Sequence, residues 1–172
     1  PGSRALLAHC GSLSKVLSPG LRVGWMIAPA ELLARATMCK QFSDAHTSTF
    51  AQATAAQYLK AGRMPGTLAH VREVYAERAR AMGDALRTEL GDAISFTQPG
   101  GGLFFWARLT GAGGKVQDGN ELAKRAIEKG VAFVPGTPFF ASQPDHATLR
   151  LSFATADVAK IREGVARLGQ AL

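Results

Sequence analysis

Across residues 67–90 the apolar side chains Val71, Val74, Tyr75, Ala79, Met82, Leu86 and Leu90 return every three or four positions. That spacing predicts one long amphipathic helix. A helix of this length suits a link between two domains, and Gly91 is its expected terminator. The segments before and after it must therefore each find their own core.

After the helix, strands are expected at 94–97, 103–109, 131–134 and 148–153, with helices at 120–129 and 157–168. Strands alternating with helices imply an α/β layer over 91–172. Before the helix, 5–10 reads as a short buried strand, 11–20 as a Gly, Ser and Pro loop, and 21–28 as a second strand bounded by Gly20 and Pro29. Pro29 opens a helix over 30–40. An Ala-rich helical stretch follows over 43–61, with Ser43 or Asp44 as its cap, and Gly62 and Pro65-Gly66 break the pattern. Two strands are too few for a twisted sheet, which typically has about 4–6. Residues 1–64 are therefore expected to be the end of a larger domain, 65–90 the inter-domain helix, and 91–172 a small C-terminal domain.

The net charge of +7, from 20 Lys and Arg against 13 Asp and Glu, raises the question of nucleic acid. Yet Arg72, Arg78, Arg80 and Arg87 are interspersed with Glu73, Glu77, Asp84 and Glu89, as on a solvated helix face. Anionic small ligands match the mild positive excess better. Cys10 and Cys39 have no CxxC spacing, so neither a disulfide scaffold nor a zinc site is expected. Both read as small buried residues in a reducing cytosol, and Trp25 and Trp106 as core. His9 is assigned no role, and His46, His70 and His146 lack metal-ligand spacing. No apolar run approaches the ~20 residues of a membrane helix. The chain begins Pro1-Gly2 rather than with Met, so the lack of a secretory signal carries no information.

The segment from Gly11 to Arg22, GSLSKVLSPGLR, concentrates the chemistry. It holds hydroxyls at Ser12 and Ser14, an amine at Lys15 and a guanidinium at Arg22, between two expected strands. A phosphate would find donors in Ser12 and Ser14, and Arg22 matches phosphate oxygens through paired N–H groups. An amine beside that phosphate, partly desolvated, becomes a nucleophile suited to Schiff-base formation with an aldehyde. A bare Ser-x-Ser-Lys, however, is more often a solvated loop. Downstream, Arg150 is centred in an apolar alternating strand with Leu149 and Leu151. A buried arginine there needs an anion; a structural ion pair or a solvent-facing edge position are the alternatives. Pro135-Gly136 with Phe139 reads either as a rigid turn with an apolar cover or as core packing. Gly100 to Gly102 read as a close backbone approach or an ordinary turn.

The string GSLSKVLSPGLRVGW resembles the cofactor-lysine signature of class I/II aminotransferases, the fold-type I pyridoxal-phosphate enzymes. It is most similar to the branch of 2-aminoadipate and kynurenine aminotransferases. Leu13 is the one departure, standing where an aromatic is more usual. The resemblance extends through Gln98–Trp106 (QPGGGLFFW), 130–139 (GVAFVPGTPF) and 149–153 (LRLSF), nearly the whole chain.

The resemblance implies the end of the large cofactor domain followed by the small α/β domain. It implies that Lys15 carries pyridoxal 5'-phosphate as a Schiff base and moves protons at the substrate α carbon, and that Ser12, Ser14 and Arg22 hold the phosphate. Arg150 would bind the α-carboxylate of an amino acid or 2-oxo acid in a cytoplasmic homodimer. The family's acidic partner of the pyridine nitrogen is not found in this sequence, so the chain by itself is expected to lack turnover. The same C-terminal half occurs in winged-helix regulators that sense the cofactor, where a DNA-binding segment would lie upstream, and in lyases on the same scaffold.

Overall fold

A 27-residue helix, α3 (Met64–Leu90), runs through the middle of the chain. It starts earlier than the periodicity predicts. Pro65 lies in its first turn, where a missing N–H leaves no hydrogen bond unmade, so the Pro65-Gly66 pair opens the helix instead of breaking it. The computed structural model describes residues 7–114 and 117–172. They divide into two compact units, with the division between Val71 and Arg72.

In the first unit, β1 (His9–Ser12) and β2 (Gly24–Ile27) pair antiparallel, with His9 opposite Ile27 and Ser12 opposite Gly24. Both strands are shorter than expected. Residues 1–6, which include the start of the first expected strand, lie outside the described residues. The second strand loses its beginning to a 3-10 turn at Pro19–Leu21. The helices are α1 (Ala30–Asp44) and α2 (Thr49–Lys60). Neither Ser43 nor Asp44 caps the second helix. Ser43 Oγ bonds back to the Cys39 carbonyl (2.8 Å) and Asp44 is held by Lys40 (2.8 Å), so both belong to α1. Ser48 is the cap, accepting from the Ala51 amide at 3.4 Å.

Only Leu13, Ala51 and Ala55 are buried apolar residues in the described part of this unit. Phe42 and Phe50 are 85% and 80% exposed, and Trp25, Met26 and Ile27 are open as well. The expected buried first strand and a core Trp25 are therefore not found. Cys10 and Cys39 are likewise exposed, free thiols rather than buried ones. The physical reason is the same throughout: two four-residue strands cannot form a layer that covers both of their faces.

The second unit holds a four-stranded antiparallel sheet of β3 (Ile94–Phe96), β4 (Phe104–Leu109), β5 (Val134–Pro135) and β6 (Thr148–Ser152), in the order β3-β4-β6-β5. The last half of α3, with α4 (Gly119–Glu128) and α5 (Val158–Ala171), packs into one core with it. Alternation sorts the sheet's faces: Phe105, Ala107, Leu109, Leu149 and Leu151 point into that core. Phe105 meets Phe96 and Phe153 edge-on at 5.3 and 5.9 Å. Asp118 and Asp157 cap α4 and α5. The third expected strand is displaced to Val134–Pro135, because the Val131 amide is still bonded to Ala126 at the end of α4. The opposite face of the sheet carries Phe104, Trp106, Arg108 and Arg150, so Trp106 is not a core residue.

Candidate active site

The loop joining β1 to β2 winds around a single carbonyl. Leu13 is buried, its amide donates to Val23 O (3.0 Å), and its own oxygen accepts from Leu17 N (2.9 Å) and Ser18 N (3.1 Å). The residue that departs from the family string thus anchors the loop, with Ser14 and Lys15 on the arc around it. Ser12 Oγ accepts the Ser14 amide at 3.1 Å, a local turn that fixes the approach to Lys15. Behind the loop, Gly11 faces Trp25 across the strand pair. A Cβ there would fall 2.2 Å from the indole ring, so only glycine lets the tryptophan cross β1.

Arg22 follows the 3-10 turn with a left-handed backbone, φ 53° and ψ 33°. A non-glycine residue held there costs about 1–2 kcal/mol, which the surrounding structure must offset. The conformation turns the guanidinium back, so that Nη1 donates to Pro19 O (3.3 Å) and to Ser14 Oγ (3.5 Å). Among the described residues Arg22 has no acidic partner. It borders a cavity of about 440 Å³ that it shares with Asp44, Thr47 and Ser48, but Asp44 is already neutralised by Lys40. Ser14 and Arg22 are thus brought together as hydroxyl and guanidinium donors with an uncompensated positive charge, while Ser12 Oγ is engaged by the Ser14 amide and donates to Val23 O (3.5 Å). Lys15 follows Ser14 in the chain and is exposed. This donor set fits a phosphate monoester.

Arg150 belongs to the second unit. It lies on β6, an inner strand, opposite Trp106 of β4 and Val134 of β5, so it does not occupy a sheet edge. No acidic residue among the described ones pairs with it. The structural ion pair considered as an alternative is therefore not made. Its guanidinium carbon lies instead over the rings of Phe104 (4.3 Å) and Phe139 (4.5 Å). Phe139 ends a 3-10 turn (Thr137–Phe139) and is 49% exposed, which makes it a cover and not core packing. Gly100 to Gly102 lie in a bend before β4 that leaves open space around them, and Gly102 has φ 79°, a backbone that glycine adopts freely.

The sequence did not flag the pairing of Arg108 with Asp145 (2.8 Å) on the open sheet face, nor the aromatic setting of Arg150. Alternation over 104–109 was the available signal, since it puts Phe104, Trp106 and Arg108 on one face. Among the described residues no cluster of His, Cys, Asp or Glu is arranged to hold a metal, and no helix is long and apolar enough to cross a membrane.

The chain is a mixed α/β protein in which Arg22 and Arg150 each lack an acidic partner among the described residues. The model of the family described as aminotransferase class I and II matches residues 2–168. A 2-aminoadipate transaminase from Thermus thermophilus is 46% identical over 164 residues, covering 95% of this chain and 40% of that protein. Aromatic-amino-acid aminotransferase 1 from Thermococcus litoralis is 36% identical, covering 95% and 38%. Among solved structures, an alpha-aminoadipate aminotransferase of Thermus thermophilus, complexed with N-(5'-phosphopyridoxyl)-L-leucine, superposes with a TM-score of 0.87 at 45% identity, over 96% of this chain and 41% of that one. The chain belongs to the class I and II aminotransferase family and has the mixed α/β fold of the matching part of those enzymes. It spans about two fifths of the length of the curated relatives it matches.

Proposed function

We propose that this chain supplies the lysine loop and the small domain of a pyridoxal-phosphate-dependent aminotransferase, which exchanges an amino group between an amino acid and a 2-oxo acid. The observation that carries the reading is the 3.5 Å approach of the Arg22 guanidinium, without an acidic partner among the described residues, to Ser14 Oγ, the residue next to Lys15 in the chain, in a family whose solved relative holds a phosphopyridoxyl group. When bound, the cofactor supplies the aldehyde through which amines are exchanged and a ring that takes up electron density.

The chain's own residues then have separate tasks. The Lys15 amine would hold the cofactor covalently and, as a free base, would move a proton at the substrate α carbon. Arg22 and the Ser14 hydroxyl bind the phosphate, with Ser12 fixing the turn that presents Ser14. Arg150, charged and without an acidic partner among the described residues, binds the α-carboxylate common to both substrates. Residues 1–64 are read as the end of the large domain, 65–90 as the inter-domain helix and 91–172 as the small domain. The uncovered apolar surface around Phe42 and Phe50 supports completion by the rest of a large domain and by a second copy, as a homodimer. Two free cysteines suit the reducing cytoplasm.

The test is a half-reaction in the whole protein loaded with pyridoxal phosphate, with L-2-aminoadipate as the first amino acid of a panel. Transfer predicts loss of the cofactor's visible band with release of the matching 2-oxo acid, and recovery of the band on adding a 2-oxo acid. Release of carbon dioxide or ammonia would instead mark a lyase. A ligand-induced spectral change without product, in a protein with a DNA-binding segment, would mark a regulator.

A further inference from the structure

An arginine in the middle of a sheet is usually held by a carboxylate, which fixes its position but neutralises its charge and occupies its N–H donors. Arg150 is held differently. Its guanidinium carbon lies 4.3 Å from the Phe104 ring centre and 4.5 Å from that of Phe139. No acidic side chain among the described residues reaches it. An aromatic face attracts a cation through its quadrupole and uses none of its hydrogen-bond donors. Two rings therefore position this guanidinium while leaving both its charge and its N–H groups for a ligand.

The rings are themselves built into place. Phe104 is on β4, diagonal to Arg150 beside its cross-strand partner Trp106. Trp106 meets Phe139 edge-on at 5.6 Å and 83°, and also touches Phe140 at 6.1 Å. Phe139 arrives from a turn seated directly on β6: Gly136 N donates to Thr148 O (2.8 Å) and Phe139 N to Gly136 O (2.9 Å). A Cβ at Gly136 would stand 2.0 Å from Thr148 Oγ1, so the seat accepts only glycine. Both rings remain partly exposed, at 38% and 49%, so burial in the core does not account for them.

We propose that Phe104 and Phe139 are positioning residues for carboxylate recognition, holding Arg150 through their ring faces so that its full donor set meets the substrate. The inference rests on the reading of Arg150 as the carboxylate-binding residue. It explains why the arrangement favours arginine over lysine: a planar, weakly hydrated cation stacks on rings, and a compact ammonium does so less well.

The experiment uses the whole protein loaded with pyridoxal phosphate, with L-2-aminoadipate and 2-oxoglutarate as probes. Phe104→Leu and Phe139→Leu keep an apolar side chain but remove the π face. Each is expected to raise KM about fivefold, by the same factor for both probes because both carry the same carboxylate, with kcat changed less than about twofold. Phe104→Tyr and Phe139→Tyr should stay near the parent. If a leucine variant does not fold, phenylalanines of increasing fluorination at 139 withdraw the quadrupole at nearly constant shape, and KM should climb with each fluorine. Silent leucine variants and a flat fluorine series overturn the proposal, as does an equal loss in the tyrosine variants. Arg150→Gln separates the two layers. If it raises KM about 30-fold or more while the ring variants are silent, only the clamp fails; if it is itself silent, the carboxylate reading fails.

Discussion

Ser14 Oγ and Arg22 Nη1 stand 3.5 Å apart across a loop whose backbone closes on the Leu13 carbonyl, and the same Nη1 reaches Pro19 O. The arginine reaches that position from a left-handed backbone, φ 53°, that L-residues seldom adopt. Local strain is thus linked to a charged group that has no acidic partner among the described residues, and the two can be separated by mutation.

Arg22→Gly keeps the backbone and removes the guanidinium. Without cofactor, the whole protein carrying it should be as stable as the parent or up to about 1 kcal/mol more so, because glycine takes positive φ freely. With cofactor it should be the less stable of the two, having lost the phosphate contact. Arg22→Lys should weaken cofactor binding about tenfold, since a point charge cannot bond two phosphate oxygens in one plane. Thermal melts with and without pyridoxal phosphate, and cofactor release on dialysis, check both.

Gly11→Ala should destabilise the protein by about 1–3 kcal/mol, because its methyl would overlap the Trp25 ring at 2.2 Å. A Trp25→Val change in the same chain removes the obstacle and should recover most of that loss. Denaturant midpoints of the two variants decide it.

Apart from the strand expected at 131–134, the strands and helices of the second unit were legible in the sequence because one buried face imposes a strict period: Phe105, Ala107 and Leu109 alternate, and Leu122, Ala126, Ile161, Val165 and Leu168 recur at helical spacing. The first unit was less so. Its helices bury only Ala51 and Ala55, so α1 carries no face from which its end at Asp44 could be read, and the reversal at Ala45 lacks a glycine to announce it. The serines, Lys15 and Arg22 stood out as residue types in a specific string. The backbone of Arg22 did not, since nothing in the order of residues signals a left-handed arginine. The setting of Arg150 was hidden for another reason: its rings come from a different strand and from a turn, and meet it only once β4, β5 and β6 are in register.

Phe105→Ala should cost about 3–5 kcal/mol, as a fully buried ring that two others meet edge-on. Ile127→Ala, exposed on α4, should change stability by no more than about 0.5 kcal/mol. Equilibrium unfolding of the two variants side by side tests whether the second unit's core is drawn where it belongs.

Acid should loosen the second unit through two carboxylates. Asp118 is held below its ordinary value of 3.8 mainly by the Asn120 amide at the start of α4. Asp145 is held below 3.8 mainly by its hydrogen bond from Arg108, then by the Ala147 amide. A lowered folded-state value means that the stabilisation is complete above the unfolded value and is lost as pH falls through the folded one. Their contribution should therefore be constant above about pH 5 and decline below about pH 4. Asp145→Asn should flatten the acid limb of a melting-temperature profile while leaving its neutral plateau nearly level, because the Arg108 pair is exposed.

The most direct measurement locates the cofactor's covalent bond. Borohydride reduction of the whole protein loaded with pyridoxal phosphate, followed by peptide mass analysis, should place one phosphopyridoxyl group on the peptide containing Lys15, and Lys15→Ala should abolish both the label and the visible absorbance. A label on another lysine, or a visible band that survives the substitution, would contradict the account.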